Sequence, residues 1–234
     1  MFYFDNIDGK KIVRSDMIRE ADCFFTTREF CLFSKTEDMS HNRLILEKYL
    51  NDKPATNQPM HSVHIEKIVP NKKFYEKTDG LLIENKGAAF MNFGDCVPLV
   101  FYCKGVAMIS HAGWRGTAQS MAKVSVKRLV DDYGFNPSDI KVLIGPAICK
   151  KCYNVGEDVY KELYETVENP KGLFDIKEEK IFADLKGINK EQLLECGVQQ
   201  IDVCPYCTAC GEKLFYSYRY ENQTGYRHSV VVKI

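Results

Sequence analysis

Residues Asn92 to Gly116 read NFGDCVPLVFYCKGVAMISHAGWRG. Two apolar, β-prone runs, Val97 to Cys103 and Val106 to Ser110, flank the pair Lys104-Gly105. A two-residue linker ending in glycine between such runs predicts a tight antiparallel hairpin. Residues whose numbers sum to 209 then face each other, and Cys96 with His111 sums to 207. A thiol and an imidazole are therefore expected on one rim of the sheet. After His111, Ala-Gly-Trp-Arg-Gly carries the chain from strand to helix. Glycines there let backbone N–H groups approach a ligand, and a helix N-terminus favours an anion. Arg115 adds a planar donor suited to phosphate or carboxylate. Ala118, Met121, Ala122, Val126, Leu129 and Tyr133 recur at helical spacing, which predicts a long amphipathic helix from about Gly116 to Asp132.

Outward from this stretch the chain alternates short strands with helices. FYF at the start and a run around Cys23 to Thr26 are strand candidates. Val63 to Val69, Gly80 to Glu84 and Ala88 to Phe93 follow. Ser40 is placed to N-cap a helix reaching Leu50, and Asn51 to Pro59 reads as a loop. Downstream, Ile140 to Ile144 is a strand closed by Gly145-Pro146. Val159, Tyr160, Leu163, Tyr164 and Val167 mark another helix. Asn189 with Gln192 three residues on reads as a capping-box variant, opening a helix that ends at Gly197. Ile201 to Cys204 and Ser229 to Ile234 are the last strands. The order predicts an α/β (mixed α+β) fold, one domain over residues 1–234, with a mixed central sheet flanked by helices.

Composition narrows the function. The 234 residues are 45% apolar and 27% charged, as in a globular domain with its own core. Lys plus Arg and Asp plus Glu both total 32, so no net positive field draws the chain to nucleic acid or an anionic membrane. No signal peptide or transmembrane run is visible, which predicts a cytoplasmic protein. In that compartment the ten cysteines are expected as thiols, metal ligands or catalytic groups rather than disulfides.

The chemistry centres on Cys96 and His111. A third donor is available from His61 or His64. Two imidazoles and one thiolate with a free fourth position are the pattern of a catalytic zinc site. Zinc lowers the pKa of bound water to about 7. Copper accepts the same donors. Asp79 and Asp95 lie near the rim, each as an orienting group for a ligand histidine or a general base. Trp114 is either core or a stacking platform for a ligand. Elsewhere, Cys149 and Cys152 form one C-x-x-C, and Cys204, Cys207 and Cys210 form a C-x-x-C-x-x-C run. These allow a structural zinc knuckle or an iron–sulfur cluster, though the reading favours plain thiols.

Four ordered motifs carry a family resemblance. GDCVPLVF, HAGWRGT, IGPAICKKCYNVG, and the C-terminal set CT, FYSYR and TGYR resemble the laccase-domain family. Its members are also described as multicopper polyphenol oxidases, purine nucleoside phosphorylases and peptidoglycan editing factors. The resemblance implies metal ligands at His61, Cys96 and His111, with His61 preferred to His64. Thr27-Arg28 lacks the Gly-Gly that usually follows in the family, and Arg43 matches its Asn-Arg segment. With Arg115, Arg28 and Arg43 are the implied substrate or phosphate contacts, and Cys96, His111 and Asp95 the catalytic set. The implied function is a zinc-dependent purine nucleoside enzyme. It would phosphorolyse adenosine, inosine and methylthioadenosine, and deaminate adenosine. The partners are then a small nucleoside and phosphate. The fold is expected to resemble Cys–His deamidase toxins. That likeness gives an alternative, an amidohydrolase acting on a peptidoglycan precursor. A copper-dependent polyphenol oxidase is the second alternative.

Overall fold

The computed structural model describes residues 1–211 and 213–234. The chain begins with strands β1 (Phe2–Ile7), β2 (Lys10–Ser15) and β3 (Asp22–Thr26), then helix α1 (Ser40–Leu50). Strands β4 (Thr56–Asn57), β5 (Ile65–Lys67), β6 (Phe74–Tyr75), β7 (Gly80–Glu84), β8 (Ala88–Phe93), β9 (Val97–Cys103) and β10 (Val106–Ala112) follow. Helices α2 (Trp114–Ala118) and α3 (Met121–Tyr133) precede β11 (Lys141–Ile144) and β12 (Asn154–Val155). The remainder is α4 (Glu157–Tyr164), β13 (Phe174–Lys177), β14 (Lys180–Ala183), α5 (Leu185–Glu195), β15 (Gln200–Val203) and β16 (His228–Lys233).

The expected central sheet is two sheets. One is five-stranded and antiparallel, in the order β1-β2-β3-β16-β8; the other is six-stranded and mixed, in the order β15-β11-β9-β10-β7-β5. The physical reason is the alternation of side chains along strands buried on both faces. Phe25, Met91, Val230 and Val232 of the first sheet meet Ile83, Val100, Ile109 and Leu143 of the second in one core. The opposite face of the mixed sheet, with Leu99, Phe101, Met108 and Val142, packs on α3 and α5. The opposite face of the antiparallel sheet, with Ile12, Phe24 and Val231, packs on Leu46 and Leu50 of α1. The result is a single α/β domain in four layers, helix–sheet–sheet–helix. Each fully buried aromatic such as Phe24, Phe25 or Phe101 contributes about 1.5–3 kcal/mol by leaving water.

The Lys104-Gly105 hairpin forms in the expected register. Val106 faces Cys103 and Ala112 faces Val97. Lys104 and Gly105 take φ of 46° and 83°, the two positive values of the turn that matches strand twist.

Three helix expectations change. The helix expected over Gly116–Asp132 is broken at Ser120, which sits in the left-handed region at φ 59°. The apolar stripe runs across the break, so periodicity alone reads one helix. Asn189 and Gln192 do not open a helix. They lie within α5, whose N-cap is Asp184, accepting from the Gly187 N–H at 3.0 Å. Both are buried and face the broken helix. Gln192 Nε2 donates to the Thr117 carbonyl at 2.9 Å, and Asn189 Nδ2 donates to Thr117 Oγ1 at 2.9 Å. Gln192 thereby adds a second donor to a carbonyl at the end of α2 that the Ser120 N–H also reaches, at 2.9 Å. At α1, Ser40 is the first helical residue rather than the cap; its hydroxyl and N–H both bind Asp38.

Candidate metal centre and its cavity

The hairpin sets two of the three donors. Cys96 immediately precedes β9, and His111 lies near the end of β10, opposite Pro98. His61 arrives on the loop before β5, with a left-handed φ of 64°. The ligand atoms of His61, Cys96 and His111 lie within 4.8 Å of one another. The two imidazole rings meet edge to face, with centroids 5.0 Å apart. His64 is not part of the group. Its side chain is exposed and lies 3.8 Å from Glu66.

Asp79, buried at the entrance to β7, binds both arms. Its Oδ1 accepts from the His111 ring Nδ1 at 3.0 Å and from the His61 N–H at 3.0 Å. Its Oδ2 accepts from the Ser62 N–H at 2.9 Å, the Ser62 hydroxyl at 2.8 Å and the Met60 N–H at 3.2 Å. The Asp79 carbonyl accepts the His111 N–H at 2.8 Å. One carboxylate thus orients the His111 ring and holds the His61 loop in its strained conformation. Burial raises the Asp79 pKa, but the His111 ring and the Ser62 N–H outweigh it and hold the group at about 2.

Charge is paired inside the centre. Burial pushes the Cys96 thiol up, yet the His111 and His61 rings bring it down to about 6. Burial likewise disfavours the His111 imidazolium, and Cys96 with Asp79 overrides it, raising the ring to about 9. The metal-free pocket therefore carries a thiolate beside an imidazolium. With Nδ1 on Asp79, His111 leaves Nε2 for a ligand position. The donor set fits one metal ion with a further position open.

Two glycines make the packing possible. A Cβ on Gly113 would lie 2.9 Å from Cys96 Sγ and 3.2 Å from His61 Cδ2. A Cβ on Gly94 would lie 2.7 Å from Arg227 Cδ.

The three donors border a cavity of about 590 Å³. Phe33, Phe74 and Tyr218 give it aromatic walls, Asn57, Gln58 and Asn92 line it with amides, and Lys35 and Arg227 supply positive charge. Arg227 stacks on Tyr218, with its guanidinium carbon 5.2 Å from the ring centroid. The TGYR motif contained Arg227, but nothing in its spacing assigned the residue a role.

The other residues singled out in the sequence lie elsewhere. Arg28 donates to the Phe215 carbonyl at 2.9 Å and pairs with Glu221. Arg43 is exposed on α1 and donates to the Leu32 carbonyl at 2.9 Å. Arg115 is exposed, stacked on Trp114 at 4.2 Å. None of the three is among the described residues lining the cavity. Asp95 has both oxygens engaged: Thr208 Oγ1 donates to one at 2.6 Å and the Arg219 N–H to the other at 2.7 Å. It ties the C-terminal segment beside Cys96. Among the described residues, no helix is long and apolar enough to cross a membrane.

Residues 30–233 match the family described as multi-copper polyphenol oxidoreductase laccase. The chain is 30% identical over 205 residues to purine nucleoside phosphorylase YlmD of Bacillus subtilis (strain 168), covering 85% of this chain and 69% of that protein. It is 31% identical over 154 residues to adenosine deaminase RL5 of an unknown prokaryotic organism, covering 62% of this chain and 57% of that one. The crystal structure of the hypothetical protein YfiH from Bacillus licheniformis is similar across 99% of this chain and 98% of that one, with a TM-score of 0.89 and 26% identity.

Proposed function

Because this chain belongs to the multi-copper polyphenol oxidoreductase laccase family, we propose that it is a metal-dependent enzyme of purine nucleosides. Its reactions are phosphorolysis of adenosine, inosine and methylthioadenosine, and deamination of adenosine. The observation that carries this reading is the His61–Cys96–His111 cluster at the edge of an aromatic, cationic cavity of about 590 Å³, a size that suits a small ligand. The names of two relatives, a purine nucleoside phosphorylase and an adenosine deaminase, agree with it.

His61, Cys96 and His111 hold the metal, which we take as zinc, and Asp79 positions two of them. When bound, the ion supplies Lewis acidity for activating water or polarising a reacting group. Phe33, Phe74 and Tyr218 offer faces for a purine, and Asn57, Gln58 and Asn92 offer donors and acceptors for its edge or the ribose. We assign the phosphate to Arg227 and Lys35, which line the cavity, in place of Arg115, Arg28 and Arg43. In phosphorolysis a phosphate oxygen bonds to ribose C1 as the purine leaves. In deamination a water oxygen replaces the C6 amino group, released as ammonia. Five histidines, of which two meet in this cluster, are a sparse donor set for the several coppers of a polyphenol oxidase.

The deciding assay uses protein of known metal content with adenosine, with and without phosphate, and separates the products chromatographically. Free adenine that depends on phosphate is the phosphorylase outcome, and inosine formed without phosphate is the deaminase outcome. Cys96→Ala is expected to abolish both while the protein stays folded; retained turnover in that variant contradicts the site. A second reading rests on the Cys96 thiolate beside the His111 imidazolium, the pair used by thiol amidohydrolases, with a peptidoglycan precursor as substrate. It requires Cys96 to be metal-free and readily alkylated in the active protein. A metal-free, alkylatable Cys96 with no nucleoside product favours that substrate.

A further inference from the structure

Four cysteines outside the catalytic cavity converge as closely as the three donors within it. Cys149 and Cys152 flank a turn that follows β11, and Cys207 and Cys210 lie on the loop that follows β15. The fold brings the two segments together by parallel pairing. β11 pairs with β15, and the ladder continues as the Cys204 N–H donates to the Ile144 carbonyl at 2.8 Å. A bridge between Ala147 and Cys207 extends it. The two C-x-x-C units, 58 residues apart, therefore arrive side by side. All four sulfurs lie within 4.8 Å of one another, and those of Cys149 and Cys210 are 3.7 Å apart. Cys204, the first cysteine of the C-x-x-C-x-x-C run, is fully buried and lies outside the group.

We propose that Cys149, Cys152, Cys207 and Cys210 bind one zinc ion as a structural tetrathiolate site. Zinc–sulfur bonds of about 2.3 Å in a tetrahedron place the sulfurs about 3.8 Å apart, which these separations fit. The backbone has organised itself around an anionic sulfur. The N–H groups of Cys149, Ala209 and Cys210 all point at Cys207 Sγ, at 3.2, 3.3 and 3.4 Å. A neutral thiol is a weak acceptor, whereas a metal-bound thiolate takes several such bonds. Thiolates at this spacing repel one another until a cation sits among them. An iron–sulfur cluster places several iron and sulfide atoms between its thiolates and needs them further apart. A disulfide needs two sulfurs about 2.05 Å apart, whereas those of Cys149 and Cys210 stand 3.7 Å apart, the spacing of two ligands on one ion.

Four protein ligands leave no open position, so this ion is structural. It fastens the end of β11 to the C-terminal segment. That segment supplies Thr208 and Arg219 to Asp95, beside Cys96, and then Tyr218 and Arg227 to the cavity wall. The site stands independently of the nucleoside reading.

The test separates the two centres by removing one. In the double variant His61→Ala, Cys96→Ser, elemental analysis is expected to find one zinc per chain. X-ray absorption at the zinc edge is expected to find four sulfur neighbours and no nitrogen. Cys207→Ser in the otherwise intact chain is expected to lose that one equivalent and keep the other. If Cys207→Ser does not fold, cobalt substitution of the unaltered chain serves in its place, through the intense thiolate-to-cobalt absorption of a four-thiolate site. The proposal is overturned by a double variant free of zinc, by iron in the site, or by a chain mass two hydrogens short, which marks a disulfide.

Discussion

The Asp79 carboxylate accepts five hydrogen bonds from the two arms of the centre, counting both donors of Ser62. Asp79→Asn keeps the shape but turns an acceptor into a donor that faces other donors. Metal affinity is expected to fall about 10- to 100-fold, the usual effect of removing such an orienting partner. Competition with a chelator measures this, and an unchanged affinity would remove Asp79 from its role. Gly113→Ala puts a methyl group 2.9 Å from Cys96 Sγ. Loss of bound metal is expected with the circular dichroism spectrum unchanged; a fully loaded variant would mean the thiol can shift without cost. At this scale the sequence exposed Cys96 and His111 through hairpin arithmetic, because two-residue turns fix register. It could not expose the link between Arg227 and the cavity, since 131 residues separate Arg227 from Cys96 and no local period connects them.

Elements bounded by turns were read accurately, and elements bounded by tertiary hydrogen bonds were not. The bounds of β7, β8, β9 and α1 coincide with the apolar runs and the turn residues beside them. The α2–α3 break escaped because the contacts beside it come from α5. Thr117 gives its carbonyl and its hydroxyl to Gln192 and Asn189, about 70 residues away, which no pattern within α2 reports. Gln192→Leu removes one of the two donors to the buried Thr117 carbonyl, leaving the Ser120 N–H, and is expected to cost about 0.5–1.5 kcal/mol. Urea unfolding of the variant measures it, and an unchanged midpoint would make the contact incidental. The same blindness to distance applies to the cysteines. Each C-x-x-C is local, but their meeting depends on the parallel pairing of β11 with β15.

At the scale of the whole molecule, the sequence carried the α/β class but merged two sheets into one. Strands buried on both faces read alike whichever sheet they enter. The layer between the sheets also stores a pH response. His228 on β16 is fully buried, with Phe215 5.1 Å and Phe93 6.4 Å from its ring. Burial drives its pKa down to about 3, only partly offset by the Pro146 backbone. A folded pKa below the unfolded value near 6.5 means the unfolded chain alone takes up a proton between those limits. Stability from this group is complete above about pH 6.5 and is lost as pH falls towards 3. Measured against a His228→Phe variant, the wild type is expected to lose relative stability steadily from pH 7 to pH 4. A pH-independent difference would show that the ring does not titrate as described. The Lys104-Gly105 hairpin has a consequence in time as well as in space. Cys96 and His111 are 15 residues apart, so their closure needs only a local β-hairpin, an event of about 1–10 μs. His61 must wait for β5 to dock on β7, a longer-range step. A half-built chelate is therefore expected early in folding, one that free metal in the refolding buffer would favour by binding before the third arm docks.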